Sequence, residues 1–340
     1  MGLGRFAYSL IAPAMQADLG WSFSLIGWLN AANALGYLSG AILAPLLLRK
    51  VGAARTFRAG LCLVPVALAL TAMTESAALL AVLRFLVGIA AGAIFVSGGT
   101  LAVNLSARAP KAGGLALSIF YAGAGLGMTV SALTLPALFH LRGAAVWPWA
   151  WALLAAMAAA GAAIAARIGG DSVGAGPTTP AGSAPLLRLW RILFGYTLFG
   201  LGSIGYLTFI FGWLADQNAG PLLPAVFWGT LGLAALAAPL LWRRPLDRLR
   251  HGLCFGLLVG LNALGAALPF ALHGLPGIMS SALLFGATFF TTVAATSAFV
   301  SRLPLTMERA AVIRAFTVAF GVGQLAGPVA VGWATDVAGT

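Results

Sequence analysis

The chain has 340 residues, 61% of them apolar and 8% charged, with a mean hydropathy of +0.99; soluble domains carry about 25% charged residues, so water-soluble folds are excluded. The formal charge of +12 would suit a nucleic-acid surface if the cations shared one face, but they fall between apolar stretches, and no nucleic-acid partner is expected. Forty-four glycines fit close packing of membrane helices better than loops.

The first segment, residues 2–17, is apolar apart from Arg5 and Gln16 but short for a full span. Stretches long enough to cross a bilayer core follow at 23–47, 58–73, 77–103, 113–139 and 147–167. A second set runs over 190–214, 222–242, 252–272, 275–300 and 311–334. Eleven helices are predicted. Trp147, Trp149 and Trp151 open the sixth and read as interfacial anchors. Cys62 and Cys254, without metal-ligand or CxxC spacing, read as buried small hydrophobes. His140, His251 and His273 fall at helix ends, so none reads as a proton relay within the membrane.

Lys and Arg in short loops remain cytoplasmic. One set of alternate connections carries sixteen cations, while the other carries Arg142 together with Asp18, Glu75, Asp216 and Asp336. The amino terminus is therefore expected on the cytoplasmic side of a bacterial-type inner membrane. Arg5 and Arg84 are the two cations outside this pattern.

Residues 168–186, rich in Gly, Pro, Ser and Thr, read as a cytoplasmic linker between a bundle over 1–167 and another over 187–340. The halves repeat. GLGRFAY at 2–8 matches GLGSIGY at 200–206, APLLLRK at 44–50 matches APLLWRR at 238–244, and Gly60, Leu61, Cys62 recur as Gly252, Leu253, Cys254. Parallel repeats about an axis along the membrane normal occur in secondary transporters. A six-plus-six plan calls for a twelfth helix, so the chain, ending at Thr340, is expected to be a truncated form of such a protein.

The opening GLGRFAYSLIAPAM, through Gly2, Gly4, Arg5, Phe6, Ala7, Tyr8, Pro13 and Met15, resembles the first helix of the YbfB/YjiJ-like branch of the major facilitator superfamily. Arg84, Gly88 and Gly92 in RFLVGIAAG are similar to that superfamily's fourth-helix motif, and Gly40 with RKVGAAR resembles a degenerate gate-latching loop that lacks its acidic residue. The resemblance implies an all-α fold of two pseudo-symmetric six-helix bundles, with coupling or gating roles for Arg84, Arg49 and Arg55. Asp and Glu are absent from helix interiors, which argues against simple carboxylate-based proton coupling.

An ionisable group at membrane depth normally faces the bundle interior and marks a pathway. Arg5 is the first candidate, with Tyr8 one turn away and Ser203 at the equivalent repeat position; a guanidinium holds a carboxylate or phosphate by paired hydrogen bonds. Snorkelling or capping of helix carbonyls would explain Arg5 structurally. Asn30, Asn33 and Tyr37 form a polar stripe on the second helix, open to ligand contact or to interhelical bonding. Thr288, Thr291, Thr292 and Thr296 offer hydroxyls that their own backbone can satisfy. Tyr206 and Gln324 complete the expected cavity residues. Glycines 123, 125, 127, 321, 323 and 327 read as helix-packing positions. No catalytic cluster, metal site or cofactor is expected, which excludes an enzyme. The reading is a monomeric carrier of a small organic solute, anionic or drug-like, driven by an ion gradient; a transport-inactive scaffold or sensor on the same fold is the alternative.

Overall fold

Backbone amides in hydrocarbon must bond within their own segment, which leaves helices as the structure available to an apolar chain of this pattern. The computed structural model describes residues 2–108, 113–168, 186–216, 222–249, 252–301 and 309–338. A π-helical turn, Gly2–Phe6, leads into α1 (Tyr8–Leu19). Then come α2 (Phe23–Val51), α3 (Ala53–Thr71), α4 (Ala77–Arg108), α5 (Gly113–Arg142) and α6 (Trp147–Ile168). The second half holds α7 (Trp190–Asp216), α8 (Leu223–Leu241), the short α9 (Arg243–Arg248), α10 (Leu253–Ala271), α11 (Leu275–Ser301) and α12 (Arg309–Ala338). Ten helices among the described residues are long and apolar enough to cross a membrane. With α1 they make the eleven read from the sequence. Most of the linker expected at 168–186 lies outside the described residues.

Helix ends follow local chemistry. The Ser22 hydroxyl caps α2, accepting from the Leu25 amide at 3.2 Å, and Arg49 and Lys50 occupy its last turn, where cations complement the helix dipole. The turn into α3 requires Gly52, whose φ of 87° excludes most side chains.

Contacts repeat between the halves. In the first, α4 packs on α2 and α3; in the second, α11 packs on α8 and α10. The halves meet along two related seams, α5 with α8 and α2 with α12. Missing side chains set the spacing. A Cβ on Gly36 would lie 2.0 Å from the Phe85 carbonyl oxygen, and one on Gly92 would lie 2.3 Å from that of Tyr37, so α2 and α4 touch backbone to backbone. The seams use the same device: Gly125 faces Gly232, and Gly27 faces the Pro328 carbonyl. In α12, Gly323 and Gly327 seat α7 in the same manner, whereas Gly123 has no close neighbour.

Two sequence expectations are corrected here. Trp147 and Trp151 are not interfacial anchors but fully buried, and only Trp149 of the three is exposed, at 71%. The Trp147 indole donates to Asp18 at 2.8 Å, tying α6 to the end of α1. The interface rule reads depth along a helix and not the face a ring takes. Cys62 is exposed on the outside of α3, while Cys254 is buried as expected.

Overpacking at a tight crossing costs about 1–3 kcal/mol. Gly36→Val and Gly92→Val are each expected to lower the unfolding free energy by that amount in detergent, and with it the unfolding midpoint, while Gly123→Ala is near neutral. Thermal unfolding followed by tryptophan fluorescence checks the contrast.

Candidate functional site

The π-helical turn is closed by the Ala7 amide donating to the Gly2 carbonyl at 3.0 Å, an i to i+5 bond. Gly2 lies against Gly127 of α5 and Gly4 between Val64 and Val87, so this turn sits deep inside the first half. It carries Arg5, which is 5% exposed. The Arg5 guanidinium stacks 4.3 Å from the Tyr37 ring centre and 5.7 Å from that of Phe6. Among the described residues no oxygen accepts a hydrogen bond from it.

Arg84, 2% exposed, is held more fully. Its terminal nitrogens donate to the Gly4 carbonyl and to Asn30 Oδ1, each at 3.1 Å. Its guanidinium lies 4.2 Å from the Tyr8 ring and 5.9 Å from Trp151. Cation–π contact of this kind is worth about 2 kcal/mol when desolvated. Tyr8 is fixed in turn, its hydroxyl donating to the Ile26 carbonyl at 2.9 Å. Asn33 donates to the Arg84 carbonyl at 2.8 Å, a contact that the close α2–α4 crossing allows. Asn30 also reaches across the halves, donating to Thr208 of α7 at 2.6 Å.

A small cavity of about 20 Å³ lies between the halves beside Arg5. From the first half come Arg5, Phe6, Tyr37 and Phe95; from the second come Ile204, Phe289, Phe290, Val293, Phe320 and Gln324. Gln324 is fully buried, and neither its amide nitrogen nor its oxygen has a partner among the described residues. Phe6 meets Phe289 and Phe290 edge-on at 5.7 and 5.6 Å, so the rings of the two halves touch. Tyr37 and Gln324 each sit about 21 Å from the helix end where Phe23 and Ala338 lie, at 1.5 Å per residue, which is near mid-bilayer.

Arg5 and Gln324 thus meet in one cavity. Tyr8, Asn30 and Asn33 do not line it. They surround Arg84 instead, one layer behind, because the π-turn carries Tyr8 off the face that holds Arg5. Tyr206 lies within the second half, its hydroxyl 2.6 Å from Ser281 and its ring 4.6 Å from Phe285. Thr288, Thr291, Thr292 and Thr296 bond their own helix backbone. Arg49 and Arg55 are exposed at the basic end, remote from the cavity.

Sequence reasoning passed over three features. Asn262 accepts from Ser203 at 2.7 Å and donates to Thr288 at 3.1 Å, filling in the second half the linking role that Arg84 has in the first. A lone amide in an apolar helix was the available signal. The phenylalanine lining gave none, since Phe in a membrane helix has many uses. The third is a clasp between halves: the Asp336 carboxylate at the end of α12 accepts from the Phe23 amide at 3.0 Å, the Ser24 amide at 2.9 Å and the Ser24 hydroxyl. A carboxylate at a helix amino terminus satisfies free amides and meets the positive end of the dipole.

A family model described as "Uncharacterised MFS-type transporter YbfB" matches residues 1–340. The chain belongs to this family. Among curated proteins, none matches the sequence. The fold is similar to that of a mutant of the nucleoside transporter NupG, with a TM-score of 0.68 at 14% identity over 99% of this chain and 91% of that one. It is also similar to a bacterial homolog of the human lysosomal transporter Spinster, inward-facing and unoccupied, with a TM-score of 0.71 at 14% identity over 99% of this chain and 80% of that one. The same homolog in its occupied form gives 0.68 at 16% identity, over 98% and 79%. At such identities the likeness is one of fold, the transporter fold of the superfamily.

Interhelical hydrogen bonds in membranes average about 0.6 kcal/mol and reach about 1.7. Asn30→Ala is expected at the upper end, because it strips Arg84 of an acceptor as well as Thr208 of a donor. Combined with Thr208→Ala the loss is expected to be less than additive, as a double-mutant cycle of unfolding midpoints would show.

Proposed function

We propose that this chain is a secondary transporter that moves a small organic solute across a bacterial inner membrane by alternating access, loading it between Arg5 and Gln324. The observation that carries the reading is the mid-bilayer cavity built from both halves, with a buried guanidinium on one wall and an unpartnered amide on the other. In superfamily folds the site lies at such a repeat interface and the bundles rock around it. The glycine-lined seams are consistent with that motion, since smooth backbone contacts lack interlocking side chains. The cation distribution supports a cytoplasmic amino terminus. The Asp336 clasp is then on the outer side, and the protein as described is closed there. The solved Spinster homolog of similar fold is inward-facing, in keeping with this orientation.

In this reading Arg5 and Gln324 touch the solute, Arg84 with Tyr8, Asn30 and Asn33 holds the first-half wall, and Tyr206 braces the second. Arg49 and Arg55 act at the cytoplasmic gate. The carrier works as a monomer, needs no cofactor or metal, and draws on an ion gradient.

The test does not require the solute. In a background carrying Cys62→Ser and Cys254→Ala, Val293→Cys places one thiol in the cavity. A carrier is expected to be labelled there by a membrane-impermeant methanethiosulfonate from either side of inverted or right-side-out vesicles. Oxidising a Ser24→Cys/Asp336→Cys pair is expected to cut labelling from the outer side by roughly tenfold or more, with little change from the cytoplasmic side. Labelling from one side only, whatever the state of the pair, would favour the static scaffold and sink the carrier.

A further inference from the structure

The cavity's chemistry restricts what it can hold. We infer that its ligand is a planar aromatic monocarboxylate bearing a second polar group on the ring, an inference that rests on the carrier reading and names its substrate class. Charge comes first. Arg5 is buried at mid-bilayer, and a cation there is costly unless an anion or polar partner meets it. Of the chain's seven acidic residues, Asp18, Glu75, Asp216, Asp247 and Asp336 fall at helix ends or in connections, and Asp171 and Glu308 lie outside the described residues. Among the described residues no oxygen is bonded to the Arg5 guanidinium, so its countercharge is left to the ligand.

The number of charges comes next. Arg84, the other deep cation, has both terminal nitrogens engaged by Gly4 and Asn30 and is absent from the cavity wall. One guanidinium faces the ligand. Its planar fork matches a carboxylate by two parallel bonds, whereas a phosphate monoester brings a second charge with nothing to meet it.

Shape follows from the rings. Phe6, Phe289, Phe290 and Phe320 present aromatic surface on the remaining walls, and offset or edge-on ring pairs are worth about 0.5–1.5 kcal/mol beyond burial alone. The gap between the walls is narrow, about 20 Å³ as they stand, which favours a flat ligand lying between the rings over a bulky one. Gln324 supplies the last demand. Its buried amide has one acceptor and two donors unmatched among the described residues, and leaving such groups unpaired is expensive, so the ligand's far edge carries a polar atom.

Thermal-shift titration of the purified full chain in detergent tests each element with defined probes. Nicotinate is expected to stabilise the protein. Nicotinamide, its neutral isostere, and cyclohexanecarboxylate, its saturated counterpart, are each expected to bind about tenfold or more weakly. Benzoate, lacking the ring nitrogen, is expected to bind several-fold more weakly than nicotinate to the natural protein and equally to Gln324→Leu. Arg5→Gln is expected to abolish discrimination between nicotinate and nicotinamide. Should Arg5→Gln not fold, nicotinate protection of Val293→Cys against methanethiosulfonate, absent with nicotinamide, gives the same answer with Arg5 intact. Absence of any shift with nicotinate and benzoate, or equal affinity for nicotinamide, overturns the assignment. Two-sided labelling of Val293→Cys alongside that result would leave the carrier reading standing with a different substrate class.

Discussion

A positive charge in hydrocarbon has to be answered by something, and much of the first half is arranged around two such charges that no carboxylate among the described residues answers. Arg84 is met by a carbonyl, an amide and two aromatic rings drawn from the π-helical turn, α2, α1 and α6. Those contacts fix the depth of the amino-terminal turn, because Gly4 is both an acceptor for Arg84 and the neighbour of Arg5. The first cation thereby holds the second in position. One is satisfied internally and the other is turned toward the cavity, a division of roles between two chemically identical side chains made by their surroundings.

That arrangement needs helices closer than ordinary side chains permit. The Asn33 bond to the Arg84 carbonyl exists because α2 and α4 cross at Gly36, Gly40, Gly88 and Gly92, where any Cβ would strike backbone. The same economy of side chains recurs at both seams between the halves. Packing in a membrane gains little from the hydrophobic effect, since lipid is as apolar as the helix, and depends on close contact and interhelical bonds. Exposed leucines and valines such as Leu43, Leu46, Val66 and Leu133 accordingly face outward.

Much of this was legible in the sequence, and the parts that were not share physical reasons. Helix positions followed from hydropathy, with ends displaced where polar residues such as Arg108 and Asp336 continue a helix beyond the hydrocarbon. Arg5, Arg84 and Gln324 stood out because polar groups at depth are rare. Their partners did not, because Gly4, Ile26 and Arg84 itself contribute backbone carbonyls, which no side-chain pattern reveals. Tyr8 was assigned to Arg5 by α-helical spacing, and the i to i+5 bond from Ala7 to Gly2 changes that phase. The aromatic walls stayed hidden for another reason: Phe289 and Phe290 look in sequence like any lipid-facing or core ring, and only the meeting of the two halves gives them a common surface.

Helix α12 carries both Gln324 at the cavity and Asp336 at the clasp, which makes it a lever with its load and its catch on one rod. The two residues are about 18 Å apart along the axis, with Pro328 between them inside the helix, where the ring removes a backbone bond and favours a bend. A tilt of roughly 5° about Gln324 would carry Asp336 sideways by about 1.5 Å at that helical rise, enough to part bonds of 2.9 and 3.0 Å. In the proposed alternating-access carrier, leverage of that kind would let a sub-ångström adjustment beside the cavity decide whether the far mouth stays shut.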